Sequence, residues 1–193
     1  MSGILEIPEV RQRVSHLSVQ EYHQLGEFNE NGRRTELIRG ILIEKKSKSP
    51  PHRTIVSILY KLILAQLPRG FCIWKEEPLT FADSEPEPDI SIVRGEETDF
   101  LSNHATTAEL VIEIAVSSAA LDRENCSLYA EAGVKEYWIV LARESKVEVY
   151  RKPKGGRYLE KRLFGPKDTL QCASVPALNI RVSDLFPSGI GAH

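Results

Sequence analysis

Two carboxylates in apolar surroundings, Asp89 and Glu113, are the residues of this sequence best suited to chemistry. Asp89 stands in Glu-Pro-Glu-Pro-Asp-Ile-Ser-Ile-Val-Arg over 85–94, and Glu113 in Ala-Glu-Leu-Val-Ile-Glu-Ile-Ala-Val over 108–116. Both segments are short, rich in Val and Ile and bounded by turn-forming residues, so both are expected to be strands. A carboxylate desolvated in a strand is costly unless a cation or hydrogen-bond donors compensate it. A divalent metal shared by the two acids does so most economically, because hard cations take oxygen ligands from carboxylates and carbonyls. Either acid alone also fits a plainer role, a rim residue facing water at a sheet edge. The pair together with its neighbours is what points to a site.

The elements that must position these acids follow from periodicity and punctuation. Ser18 with Glu21 three residues on forms a capping box for a helix over about 19–27. Asn29-Glu30-Asn31-Gly32 reads as a turn, and Thr35–Glu44 as a hairpin hinged at Gly40. Pro50-Pro51 opens an amphipathic helix over about 52–67, in which Ile55, Ile58, Leu59, Leu62, Ile63 and Leu67 repeat at helical spacing. Strands are expected at 71–76, around Asp89 and around Glu113, then a helix over 119–132 closed by Gly133. Further strands at 136–141, 146–151 and 158–164, with a short C-terminal strand, complete the expected sheet. Strand, helix, strand from Glu113 to Leu141 is a parallel crossover, which places the chain in the mixed α/β class.

Composition bounds the function without choosing it. A chain of 193 residues is long enough to bury a proper core, and a single domain over 1–193 is expected, its core spanning about 17–186. No apolar stretch is long enough to cross a bilayer, and the first residues lack the basic start and apolar core of a secretion signal. Cys72, Cys126 and Cys172 are too widely spaced for a disulfide framework or a metal finger, so a cytoplasmic protein with reduced thiols is expected. The net charge of −2 gives no global field for nucleic acid. Charge is nevertheless uneven. Lys45, Lys46, Lys48 and Arg53 cluster at the start of the Pro50 helix, and Arg151-Lys152-Pro153-Lys154 runs on to Arg157, Lys161 and Arg162. Either group suits a phosphate backbone or a solvated face.

The ordered set Thr-Glu-Leu-Ile-Arg-Gly (35–40), Ser-Pro-Pro-His (49–52), Pro-Glu-Pro-Asp-Ile (86–90), Leu-Val-Ile-Glu-Ile (110–114), Leu-Asp-Arg-Glu-Asn (121–125) and Tyr-Ala-Glu-Ala-Gly-Val-Lys-Glu-Tyr-Trp-Ile-Val (129–140) resembles the Uma-two family. That family is a branch of the PD-(D/E)XK restriction-endonuclease-like superfamily, and the resemblance covers about residues 17–155. It implies a mixed β-sheet core flanked by helices and a metal-dependent endonuclease acting on DNA. Asp89 and Glu113 would jointly hold Mg²⁺ or Mn²⁺, with Glu36 a further or water-mediated ligand. His52 matches the motif histidine at a helix start, and with Lys46 and Arg53 it would meet the substrate. Phosphodiester hydrolysis asks for this chemistry: a metal lowers the pKa of the attacking water and neutralises charge at phosphorus.

One departure bears on catalysis. The superfamily's lysine, two residues after the strand acid, is replaced here by Ala115. The Uma-two branch supplies it from the following helix, four residues before the Tyr of Tyr-x-x-x-Gly, and that position is Asn125. A neutral amide does not carry the positive charge that a phosphate-side catalyst needs. Lys46 or Lys48, from the loop before the helix, is the replacement within the basic cluster. The alternative reading is a nuclease-fold protein with impaired catalysis that binds DNA or a partner. A third is a hydrolase of small phosphoesters. Trp138 and Tyr137 are expected to pack in the core or at its rim rather than to stack on bases, and a homodimer mediated by Trp138 or the apolar end of the sheet is compatible with each reading.

Overall fold

The computed structural model describes residues 6–26, 34–45, 47–117 and 119–187. The chain divides into two compact units, the first comprising 1–46 with 80–86 and the second 47–79 with 87–193.

The first unit carries α1 (Pro8–Arg11), α2 (Val19–Gly26), β1 (Thr35–Ile38) and β2 (Ile41–Glu44). The capping box forms as expected: Glu21 N–H donates to Ser18 Oγ at 3.2 Å, and Ser18 N–H to the Glu21 carboxylate at 2.8 Å. β1 and β2 pair antiparallel around Arg39 (φ 50°) and Gly40 (φ 75°). Two positive φ angles match the twist of a two-residue hairpin. Gly40 is required sterically as well, since a Cβ there would stand 2.6 Å from His16 Cβ. Residues 80–86 return to this hairpin, where Glu85 N–H donates to Leu37 O at 2.7 Å. The turn expected at 29–32 lies outside the described residues.

The second unit is built on a six-stranded sheet of order β3-β4-β5-β6-β7-β8. Its strands are β3 (Phe71–Trp74), β4 (Ile90–Arg94), β5 (Leu110–Ala115), β6 (Glu136–Leu141), β7 (Lys146–Pro153) and β8 (Tyr158–Phe164). β5 and β6 run parallel, joined through α4 (Ala120–Glu131), and every other neighbouring pair is antiparallel. Gly133 at φ 74° follows α4 and releases the chain into β6. Alternation along the strands sends Ile90, Ile92, Ile112, Ile114, Trp138 and Val140 to one face. There α3 (Pro50–Leu64) buries Ile55, Val56, Leu59 and Ile63 against them. The opposite face carries Glu113, Tyr137 and Tyr150, with Tyr129 of α4 packed 4.8 Å from Tyr137 between ring centroids.

Two expectations are corrected. The C-terminal strand does not join the main sheet. β9 (Thr169–Gln171) and β10 (Asn179–Arg181) pair with each other, each burying one apolar residue, Leu170 and Ile180, in the α3-side core. Strands of three residues with a single apolar side chain cover a core but add little to a ladder. Trp138 is the second correction: it is 0% exposed, its indole N–H donating to Glu136 Oε2 at 2.9 Å, so it offers no surface to a second chain.

The second basic stretch is partly neutralised within the fold. Lys161 lies 3.1 Å from Glu148, and Arg123 of α4 lies 2.8 Å from the same carboxylate. Burial works to raise the Glu148 pKa, but hydrogen bonds from Arg123, Tyr150 and Lys161 outweigh it and hold it at about 2. A carboxyl depressed below its ordinary 4.5 stabilises the fold at pH above that value, and the gain is lost as pH falls toward 2. Glu148→Gln is therefore expected to lower stability by about 2 kcal/mol at neutral pH. The gap to the native protein should close between pH 4.5 and 2, which urea unfolding across that range reads directly.

Candidate active site

Glu76 beyond the end of β3, Asp89 just ahead of β4 and Glu113 within β5 come together at one end of the β3–β4–β5 ladder. β4 begins at Ile90, so Asp89 stands one residue ahead of the strand rather than inside it. Pro86 and Pro88 lack the N–H groups a ladder needs, which delays the strand's start. Ile90 pairs with Ile112, so one step further along the register Asp89 comes opposite Glu113. The contacts agree. Asp89 N–H donates to Glu113 Oε2 at 3.3 Å, and Ile114 N–H donates to Asp89 Oδ2 at 2.8 Å. On the other side Trp74 pairs with Ser91, and two residues on the register brings Glu76 across from Asp89. Glu76 N–H donates to Pro88 O at 3.2 Å.

Glu113 interrupts an otherwise buried strand, as its sequence context predicts. The Tyr129 hydroxyl donates to its Oε1 at 3.0 Å, so each Glu113 oxygen has a donor from a different element.

Asp89 is 6% exposed and its charge is compensated from several sides. Lys48 Nζ lies 2.8 Å from Oδ1 and 3.1 Å from Glu76 Oε1. His52 Nε2 lies 2.9 Å from Oδ2. Lys48 comes from the loop just before α3 and His52 from its first turn, which Ser49 Oγ fixes by accepting the His52 N–H. Burial pushes the Asp89 pKa up, but the His52 hydrogen bond and the Lys48 ammonium outweigh it and hold the carboxyl below its ordinary value. For Lys48, burial works to lower the pKa, and Asp89 followed by Glu76 reverses this to a net rise. Asp89 is thus an ionised acceptor, which places a proton on His52 Nε2. His52 Nδ1 is buried with no hydrogen-bond partner among the described residues.

The remaining residues singled out from sequence make none of these contacts among the described residues. Asn125 is buried on α4, one turn before Tyr129, and its side chain makes no hydrogen bond to another described residue. Glu36 belongs to the first unit, where Lys45 Nζ stands 3.6 Å from its Oε2. Arg53 is exposed on α3, and Lys46 lies outside the described residues. Among the described residues no three His, Cys, Asp or Glu side chains converge as a ready-made metal cage. Sequence reasoning gives no role to Glu76 or Tyr129. The four-residue spacing of Tyr129 from Asn125 was a usable signal for the tyrosine. Nothing marks Glu76, which closes the strand expected at 71–76 within the charged run Lys75-Glu76-Glu77; the strand in fact ends at Trp74.

A mixed sheet with a helix on each face, and an acid pair where two central strands meet, defines a restriction-endonuclease-like fold. The chain belongs to the Uma2 family, described as "Putative restriction endonuclease", which it matches over residues 19–183. It is also similar to the crystal structure of "a putative nuclease belonging to DUF820" from Anabaena variabilis ATCC 29413. That likeness has a TM-score of 0.74 at 24% identity, covering 88% of this chain and 97% of the other, and it shows the fold. No curated protein sequence matches the chain. Among the described residues no helix is long and apolar enough to cross a membrane.

Proposed function

We propose that this chain is a Mg²⁺- or Mn²⁺-dependent endonuclease that hydrolyses DNA phosphodiester bonds, with Asp89 and Glu113 holding the ion. The observation that carries this reading is the exchange of contacts between the two acids' strands, Asp89 N–H to Glu113 and Ile114 N–H to Asp89, with the Lys48 ammonium already held by Asp89 at 2.8 Å. The donor set fits a hard ion, since the acids offer carboxylate oxygen and the free cysteines lie elsewhere in the fold. When bound, such an ion supplies an acidified water and neutralises charge at phosphorus.

The chain's own residues do the rest. Ile114 N–H fixes the orientation of Asp89, and Tyr129 fixes that of Glu113. Lys48 brings the positive charge that Asn125 lacks. His52, holding its proton on Nε2, keeps Asp89 ionised. Arg53, exposed on the first turn of α3, meets the DNA backbone beside the site.

The test is incubation of supercoiled plasmid with the protein in Mn²⁺. Nicking that EDTA abolishes is expected, and an intact plasmid at high enzyme would overturn the reading. A second reading rests on Asn125, a buried neutral amide where the family's helix carries a lysine: a fold retained for binding. It predicts DNA binding that survives EDTA and yields no product.

A further inference from the structure

Asp89 raises a difficulty for any nuclease built on it. His52 and the Ile114 N–H hold Oδ2, so Oδ1 is the oxygen left for a metal; Lys48 holds it, and the same ammonium is the positive charge the reaction needs on the phosphate side. If the ion simply expelled Lys48 into solvent, the site would gain one cation and lose the other. Glu76 resolves this.

We infer that Glu76 is a positioning residue that retains Lys48 at the site when a divalent ion displaces it from Asp89. This rests on the metal reading of Asp89 and Glu113 given above. Lys48 bridges the two carboxylates, at 2.8 Å to Asp89 Oδ1 and 3.1 Å to Glu76 Oε1, so it needs only to release the first while keeping the second. The contact is sheltered: the Lys48 and Glu76 side chains are 21% and 25% exposed. Glu76 is also held where it must be. Its φ of 60° lies in the left-handed region that a non-glycine residue adopts only when its surroundings impose it. Its N–H is tied to Pro88 O, the carbonyl immediately before Asp89. The strained turn therefore sets the Glu76 carboxylate relative to Asp89 across the β3–β4 edge. Lys48 acts as a resident counter-ion: it neutralises Asp89 before metal arrives and is stored on Glu76 afterwards.

A carboxylate this close to Asp89 invites the simpler idea that Glu76 is itself a metal ligand, and a thermodynamic cycle separates the two. Mn²⁺ binding without DNA is measured by titration calorimetry on the full chain. The variants are Lys48→Met, Glu76→Gln, their combination and Asp89→Asn, each checked for folding by circular dichroism. Lys48→Met, which removes the competing cation, is expected to tighten Mn²⁺ binding by about tenfold, the scale of one partly buried ion pair. Glu76→Gln is expected to weaken it by about tenfold when Lys48 is present and by less than about twofold when it is not. Equal weakening in both backgrounds makes Glu76 a ligand or a bulk charge and overturns the inference. A Mn²⁺ site lost in Asp89→Asn but indifferent to Lys48→Met overturns the inference alone. No Mn²⁺ binding by either the native chain or Lys48→Met overturns it together with the metal reading.

Discussion

Asp89→Asn is expected to abolish plasmid nicking in Mn²⁺ while leaving a folded protein, a fall of roughly a thousandfold from the loss of several kcal/mol of charge stabilisation. The substitution keeps shape and removes charge. Asn at this position still offers one oxygen to the Ile114 N–H, so the β4–β5 edge keeps its link. What disappears is the anion that Lys48 and His52 face, and with it the anchor for a divalent ion. Lys48 then has Glu76 as its remaining partner in the pair of contacts described above. A buried ion pair reduced to one charge is destabilising, here by about 2 kcal/mol, because Lys48 retains partial access to water. Activity and stability must therefore be read together, on protein shown by circular dichroism to be folded at the assay temperature. Native cleavage by folded Asp89→Asn would remove Asp89 from the chemistry altogether.

How far this site could be foreseen depended on how local its signals were. Glu113 is visible because one acid breaks a run of β-branched residues, and that contrast survives without any tertiary information. The capping box at Ser18 and the Gly133 stop are equally local and appear where spacing places them. Asp89 is legible too, but its place within the strand is not: the prolines on either side of Glu87 delay β4, so the acid sits at the strand's mouth, where Lys48 before α3 and His52 on its first turn reach it. Lys48 was one of two lysines in a basic run, and no period or motif chose between them. Its position against Asp89 depends on how α3 crosses the sheet, a tertiary fact. Glu76 was invisible for a related reason. Its importance comes from strand register across β3 and β4, and register between distant segments is not written in either segment alone. Trp138 shows the converse. A large aromatic with a polar N–H suits core, rim or interface alike, and only the buried partner Glu136, a tertiary contact, decides for the interior.

Lys48→Met should reduce cleavage by about a hundredfold, the loss typical of removing one preorganised donor for developing charge. The same change is expected to strengthen Mn²⁺ binding, so the defect should lie in turnover and not in metal occupancy. That split is informative, because a merely structural lysine would impair both. Restoring the charge from another direction then asks whether position matters or only sign. Asn125 lies on α4 one turn before Tyr129, whose hydroxyl reaches Glu113, and residues four apart share a helix face. A lysine there has a long apolar stem to run through the buried surroundings of Asn125 before its ammonium emerges near the acids. Asn125→Lys combined with Lys48→Met is expected to recover about tenfold of the lost rate, short of native because Glu76 holds only the α3 lysine in place. Full activity in Lys48→Met alone would show that this site needs no such cation. A folded double variant no better than Lys48→Met would show that charge delivered from α4 does not reach the phosphate, and that in this chain the lysine works only from the start of α3.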